Sequence, residues 1–118
     1  MMSNQEILIV EDEADPREAL SEFLEAKGYA VACAPNGRAA LDKIRSNKPR
    51  LILLDLMMPV MDGYAFLDLA RRLHLLDGVA VVVTSAQEIK STPGAAAVVD
   101  KPIRPERLMS LVRRFCGR

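Results

Sequence analysis

A chain of 118 residues and 13.0 kDa, half of it apolar, has the length of one ordinary domain and enough apolar content for a real core. Sixteen basic and sixteen acidic residues cancel, which argues against direct nucleic-acid binding, since phosphate backbones demand a basic surplus. No segment approaches the roughly 18 uninterrupted apolar residues that span a bilayer, so no membrane partner is expected.

The N-terminus, "MMSNQEI", lacks the basic stretch and apolar core of a secretory leader. "ILIV" (7–10) is a short apolar, β-branched run, expected as a buried strand. In "ADPREALSEFLEAKG" Asp15 suits an N-cap, Pro16 the first helical position and Glu18 the third place after the cap. Ala19, Leu20, Phe23 and Leu24 form the expected apolar stripe of this helix, and Gly28 its stop. "YAVACA" (29–34) predicts a second strand, and "NGRAALDKIRSN" (36–47) a second helix with Ala40, Leu41 and Ile44 facing inward.

"LILL" (51–54) predicts the third strand, and a helix follows from about Tyr64 to His74. "VAVVVTS" (79–85) and "AAVV" (96–99) are strands four and five, and "PERLMSLVRRF" (105–115) is the last helix. Nearly continuous apolar strands alternating with helices predict an α/β fold, a doubly wound five-stranded parallel sheet covered on both faces. The expected strand order is 2-1-3-4-5, flavodoxin-like, with ligands beyond the carboxyl ends of the central strands. Between Ser85 and Ala96 only "AQEIKSTPGA" remains, too little for a full crossover helix, so a shortened fourth crossover is expected. With no internal repeat or linker, residues 1–118 are expected to form a single domain, carrying no output domain if this is the whole chain.

The chemistry gathers at the strand ends. Strand one runs into Glu11, Asp12 and Glu13, and strand three into Asp55. Adjacent parallel strands bring these carboxylates to one edge, where like charges raise each other's pKa or require a cation. Oxygen ligands without thiols suit a hard ion such as Mg²⁺, which keeps several of its waters. With Asp15 capping the first helix, Glu11 and Asp12 have no capping duty. Strand four adds the hydroxyls of Thr84 and Ser85, and strand five adds Lys101. Such a set suits a phosphoryl group, with Asp55 as the attacking carboxylate. Cys33 and Cys116 lie far apart with no metal-ligand spacing, which fits a reduced, cytoplasmic chain. His74 has no partner cluster.

"VEDE", "LLDLMMPVMDG", "TSA" and "DKP" occur in order at the successive strand ends. Over essentially its whole length the chain resembles the receiver domain of two-component response regulators, the chemotaxis-type fold. The resemblance implies a phosphoacceptor signalling domain, not an enzyme in the ordinary sense. Asp55 would take a phosphoryl group from a phosphohistidine on a sensor histidine kinase or histidine phosphotransfer protein. Asp12 would bind Mg²⁺ directly, Glu11 through water, and Met57 through its backbone carbonyl, with Asp55 completing the set. Lys101 would pair with Asp55 and then with the phosphate, and its bond to Pro102 would be cis. Pro59 and Gly63 would shape the loop after the acceptor. Ser85, 30 positions after Asp55, fits the family's hydroxyl, and Thr84 remains the alternative. The signal would pass to a downstream protein target or separate domain.

Two features depart from the family. Much of the usual output face, built on helix four, strand five and helix five, is expected to be missing, and Val98 stands where an aromatic switch residue is usual. The alternative reading is therefore a receiver-like protein-interaction module with degraded switching. A haloacid-dehalogenase-type phosphatase would need a second acid where Met57 stands. A nucleotide-binding module would need glycines where "VEDEAD" stands.

Overall fold

The computed structural model describes residues 6–58, 60–85 and 94–117. Five strands, β1 (Ile7–Val10), β2 (Val31–Ala34), β3 (Leu51–Asp55), β4 (Ala80–Ser85) and β5 (Ala97–Asp100), form one parallel sheet in the order β2-β1-β3-β4-β5. Helices α1 (Ala14–Ala26), α2 (Gly37–Ser46), α3 (Gly63–Arg72) and α4 (Pro105–Cys116) complete the expected flavodoxin-like fold. Among the described residues no helix lies between β4 and β5. Residues 86–93, which make up most of the shortened crossover, lie outside the described residues, as does Pro59.

Every residue of β1 and β3 is buried, as continuous apolar strands covered on both faces should be. Alternation along the strands splits their side chains between two cores. Leu8, Val10, Ile52, Leu54, Val81 and Val83 pack with Phe66, Leu67, Ala40 and Ile44 of α3 and α2. Ile7, Ile9, Leu51, Leu53 and Val82 pack with Leu24 of α1 and with Leu108, Leu111 and Val112 of α4. Ala40, Leu41 and Ile44 are buried as expected.

Three local expectations are corrected. α1 starts at Ala14 with Glu13 in the capping position and no side-chain cap, so Asp15 lies in the first turn instead of capping it. Pro16 permits either start, because the first-turn amides have no intrahelical partner and a missing N–H there costs nothing. Ala19 is exposed, Leu20 and Phe23 are half-buried, and Leu24 alone is buried along α1. Ala19 and Leu20 line a groove of about 280 Å³ together with Pro16, Pro102 and Ile103, so α1 does not close there on the segment before α4. Finally, α3 ends at Arg72, and His74 lies beyond it with φ 55°. Gly28, at φ 95°, does end α1, its N–H donating to the Glu25 carbonyl.

Among the described residues no helix is long and apolar enough to cross a membrane.

Candidate functional site

The parallel register sets the site. Val10 pairs with Leu54, so the residues after β1 and the last residue of β3 emerge at one edge. There one carboxylate oxygen each from Glu11, Asp12 and Asp55 lies within 4.8 Å of the others. Glu11 and Asp55 are buried, at 3% and 5% exposure, and Asp12 is the most exposed of the three. Three converging oxygen donors without sulfur or nitrogen suit a hard divalent cation, so the donor set fits Mg²⁺.

Lys101 follows β5 and reaches back over this edge. Its ammonium lies 2.5 Å from Glu11 Oε1 and 3.2 Å from Asp55 Oδ2. Burial lowers the pKa of this lysine, but the Glu11 hydrogen bond and the charges of Asp55 and Glu11 outweigh it, and the net shift is upward. The expected partner was Asp55; Glu11 is the nearer one. The Lys101–Pro102 bond is cis, as expected.

The loop after β3 turns sharply. Met57 N–H donates to Asp55 Oδ1 at 3.1 Å, so this backbone amide helps orient the carboxylate while the Met57 side chain stands 58% exposed. Val60 sits in the left-handed region at φ 67°, unusual for a β-branched residue. Asp62 then caps α3 by accepting from Ala65 N–H at 2.9 Å. Gly63 N–H donates to the Leu56 carbonyl, which closes the loop onto the end of β3.

The two hydroxyls sit differently. Thr84 pairs with Asp55 in the ladder, lines the groove beside Lys101, and lies 3.4 Å from the Leu54 carbonyl in a donating position. Ser85 is buried, pairs with Asp100, and alternates to the opposite face. Val98 is half-buried against the core beneath α2 and α3. Sequence reasoning missed Arg17, whose Nη1 donates to the Glu11 carbonyl at 3.0 Å and to the Asp12 carbonyl at 3.3 Å. No motif flagged it, because its contacts are to backbone atoms.

The model of the response regulator receiver domain matches residues 7–113. The chain belongs to that family. This receiver domain is 31% identical to an uncharacterized 14.6 kDa protein of Leptolyngbya boryana, over 98% of this chain and 92% of that one. It is 35% identical to the DNA-binding response regulator MtrA of Mycolicibacterium paratuberculosis, over 92% of this chain and 50% of that one. The receiver thus spans about half the length of MtrA. Among solved structures, the receiver domain of a signal transduction histidine kinase from Syntrophus aciditrophicus superposes with a TM-score of 0.81. The two are 33% identical, over 94% of this chain and 89% of that one. Receiver domains are signalling modules of two-component systems, not classical enzymes, and interact with histidine kinases and downstream effector domains.

Proposed function

We propose that this receiver accepts a phosphoryl group on Asp55 in a Mg²⁺-dependent transfer and so acts as a signalling switch. The donor would be the phosphohistidine of a sensor histidine kinase or a histidine phosphotransfer protein, and the reader a downstream protein or a separate domain. The observation that carries this reading is the meeting of Glu11, Asp12 and Asp55 oxygens within 4.8 Å, with Lys101 at 3.2 Å from Asp55.

In the transfer, a carboxylate oxygen of Asp55 attacks phosphorus, and the P–N bond to the donor imidazole breaks with its electron pair left on nitrogen. Bound Mg²⁺ would offset charge on the phosphoryl oxygens, held by Asp12, Asp55 and the Met57 carbonyl, with Glu11 acting through water. The Met57 amide orients the Asp55 carboxylate for attack. The Lys101 ammonium already lies against Asp55 and can follow the transferred charge onto phosphate. Ser85 is the hydroxyl assigned to a phosphoryl oxygen, with Thr84 the alternative.

Val98 favours the second reading, a receiver-like interaction module without switching. An aliphatic side chain packed on the core cannot act as the aromatic rotamer switch usual at that position. One experiment separates the two: incubation with acetyl phosphate and Mg²⁺, read by intact mass. Gain of one phosphoryl group by the wild type and none by Asp55→Asn supports the switch. No gain by the wild type overturns it in favour of the interaction module.

A further inference from the structure

Arg17 stands one turn into α1, five positions beyond Asp12, yet among the described residues it forms no ion pair with any of the nearby acids. Its Nη1 is directed instead at two successive carbonyls, those of Glu11 and Asp12. A single guanidinium nitrogen carries two hydrogens in a fixed plane, so it can hold two adjacent carbonyls in one orientation.

The consequence passes through the peptide between Asp12 and Glu13. In a trans peptide the C=O and the N–H point in opposite directions. Pulling the Asp12 carbonyl toward Arg17 therefore aims the Glu13 N–H back at the site, and that N–H lies 3.3 Å from Glu11 Oε2. The other oxygen of Glu11 receives Lys101. A continuous chain of contacts thus runs from the Arg17 guanidinium through the Asp12 carbonyl and the Glu13 amide to the Glu11 carboxylate.

We infer that Arg17 is a positioning residue that holds the Glu11–Asp12 loop in its metal-binding orientation, acting through backbone atoms and not through its charge. The inference rests on the reading of this edge as a Mg²⁺ site, and it has a sign that charge alone cannot produce. Removing a cation near an acidic site should tighten Mg²⁺ binding by simple electrostatics. Releasing the loop should weaken it.

The test uses the full chain as wild type, Arg17→Met and Arg17→Lys, with amide NMR followed through a Mg²⁺ titration. In Arg17→Met the Mg²⁺ affinity should fall about tenfold or more, as when groups that orient metal ligands are removed. The Glu13 amide resonance should also move in the Mg²⁺-free protein. Arg17→Lys, which restores a donor, should fall between and keeps the test open if the methionine variant does not fold. Unchanged or tighter Mg²⁺ binding in a folded variant, or an unmoved Glu13 amide, overturns the inference. If the wild type binds no Mg²⁺, the proposed function fails instead, while the Glu13 amide still decides whether Arg17 holds the loop.

Discussion

Gly63 packs directly against the carbonyl of Asp55. A Cβ at Gly63 would stand 2.8 Å from that oxygen and 2.7 Å from Leu56 Cα, both backbone atoms that cannot swing aside. The first turn of α3 can therefore approach the end of β3 only without a side chain at this position. Gly63→Ala should push α3 away from the acceptor strand and destabilise the domain by about 1–3 kcal/mol, the usual cost of overpacking. Urea denaturation measures it, and a midpoint equal to that of the wild type would show that the loop yields freely.

Lys101 sets an alkaline limit on the stability of the metal-free protein. Its pKa is raised above the usual 10.5 on folding, so the folded state holds this proton more tightly than the unfolded one. The resulting stability is complete below the unfolded value and is lost as pH rises through the higher, folded one. It should therefore persist across neutral pH and fade only above about 10.5. Lys101→Met removes it and leaves Glu11 and Asp55 buried without their cation, at a cost of about 1–3 kcal/mol at pH 7. Added Mg²⁺ should restore part of that loss. The difference in stability between wild type and variant, followed from pH 7 to pH 11, should shrink; a constant difference would contradict the assignment.

The fold was legible because its signals are redundant. Apolar strands, helical stripes and the glycine after α1 all indicate the same alternation, and an error of a residue or two at one end changes nothing. The start of α1 shows the limit: Asp15 and Pro16 are compatible with helices beginning at either Ala14 or Pro16, and only the geometry of Glu13 decides. Ala19 shows another, since a helical stripe says which face turns inward but not whether a neighbour closes over it. At the site, Glu11, Asp12, Asp55 and Lys101 were legible as charged residues at the ends of apolar strands. Arg17 was not, because a guanidinium that grips carbonyls leaves no pattern in side-chain types. The expected shortening of the fourth crossover falls mainly on residues 86–93, outside the described residues.

Asp12 should carry the direct Mg²⁺ contact. It is the most exposed of the three acids, and no described ion pair involves it, whereas Glu11 and Asp55 share Lys101. Asp12→Ala should abolish measurable Mg²⁺ binding while leaving the core, and so the melting temperature of the metal-free protein, nearly unchanged. Titration curves that coincide with those of the wild type would rule the residue out as a ligand.

Ser85 and Thr84 should separate cleanly. Thr84 is aimed at the Leu54 carbonyl, so its loss should register mainly as stability. Ser85→Ala should slow phosphorylation by acetyl phosphate about tenfold or more, the scale of losing one donor to a developing oxyanion. Thr84→Val should leave that rate within about twofold, well under the roughly 1.4 kcal/mol that a tenfold change requires. The reverse pattern would transfer the role to Thr84.

The phosphorylated form should be comparatively long-lived, and Met57 is the residue to test. Hydrolysis requires a water placed in line with phosphorus, and the family resemblance implies that residues two positions after the acceptor and two after the hydroxyl flank that path. By position these are Met57 and, with Ser85 as the hydroxyl, Gln87, which lies outside the described residues. The Met57 amide is spent on Asp55, and its side chain, 58% exposed, is bulky and apolar and has only a thioether to offer a water. Replacing it with Asn keeps the backbone amide in place and adds a group that can hold the water. Met57→Asn should therefore speed loss of phosphate about tenfold, equivalent to roughly 1.4 kcal/mol of barrier. The rate is read by intact mass after the phosphodonor is removed. An unchanged or slower rate would mean that the exposed side chain leans away from the phosphate and leaves the path of the water open.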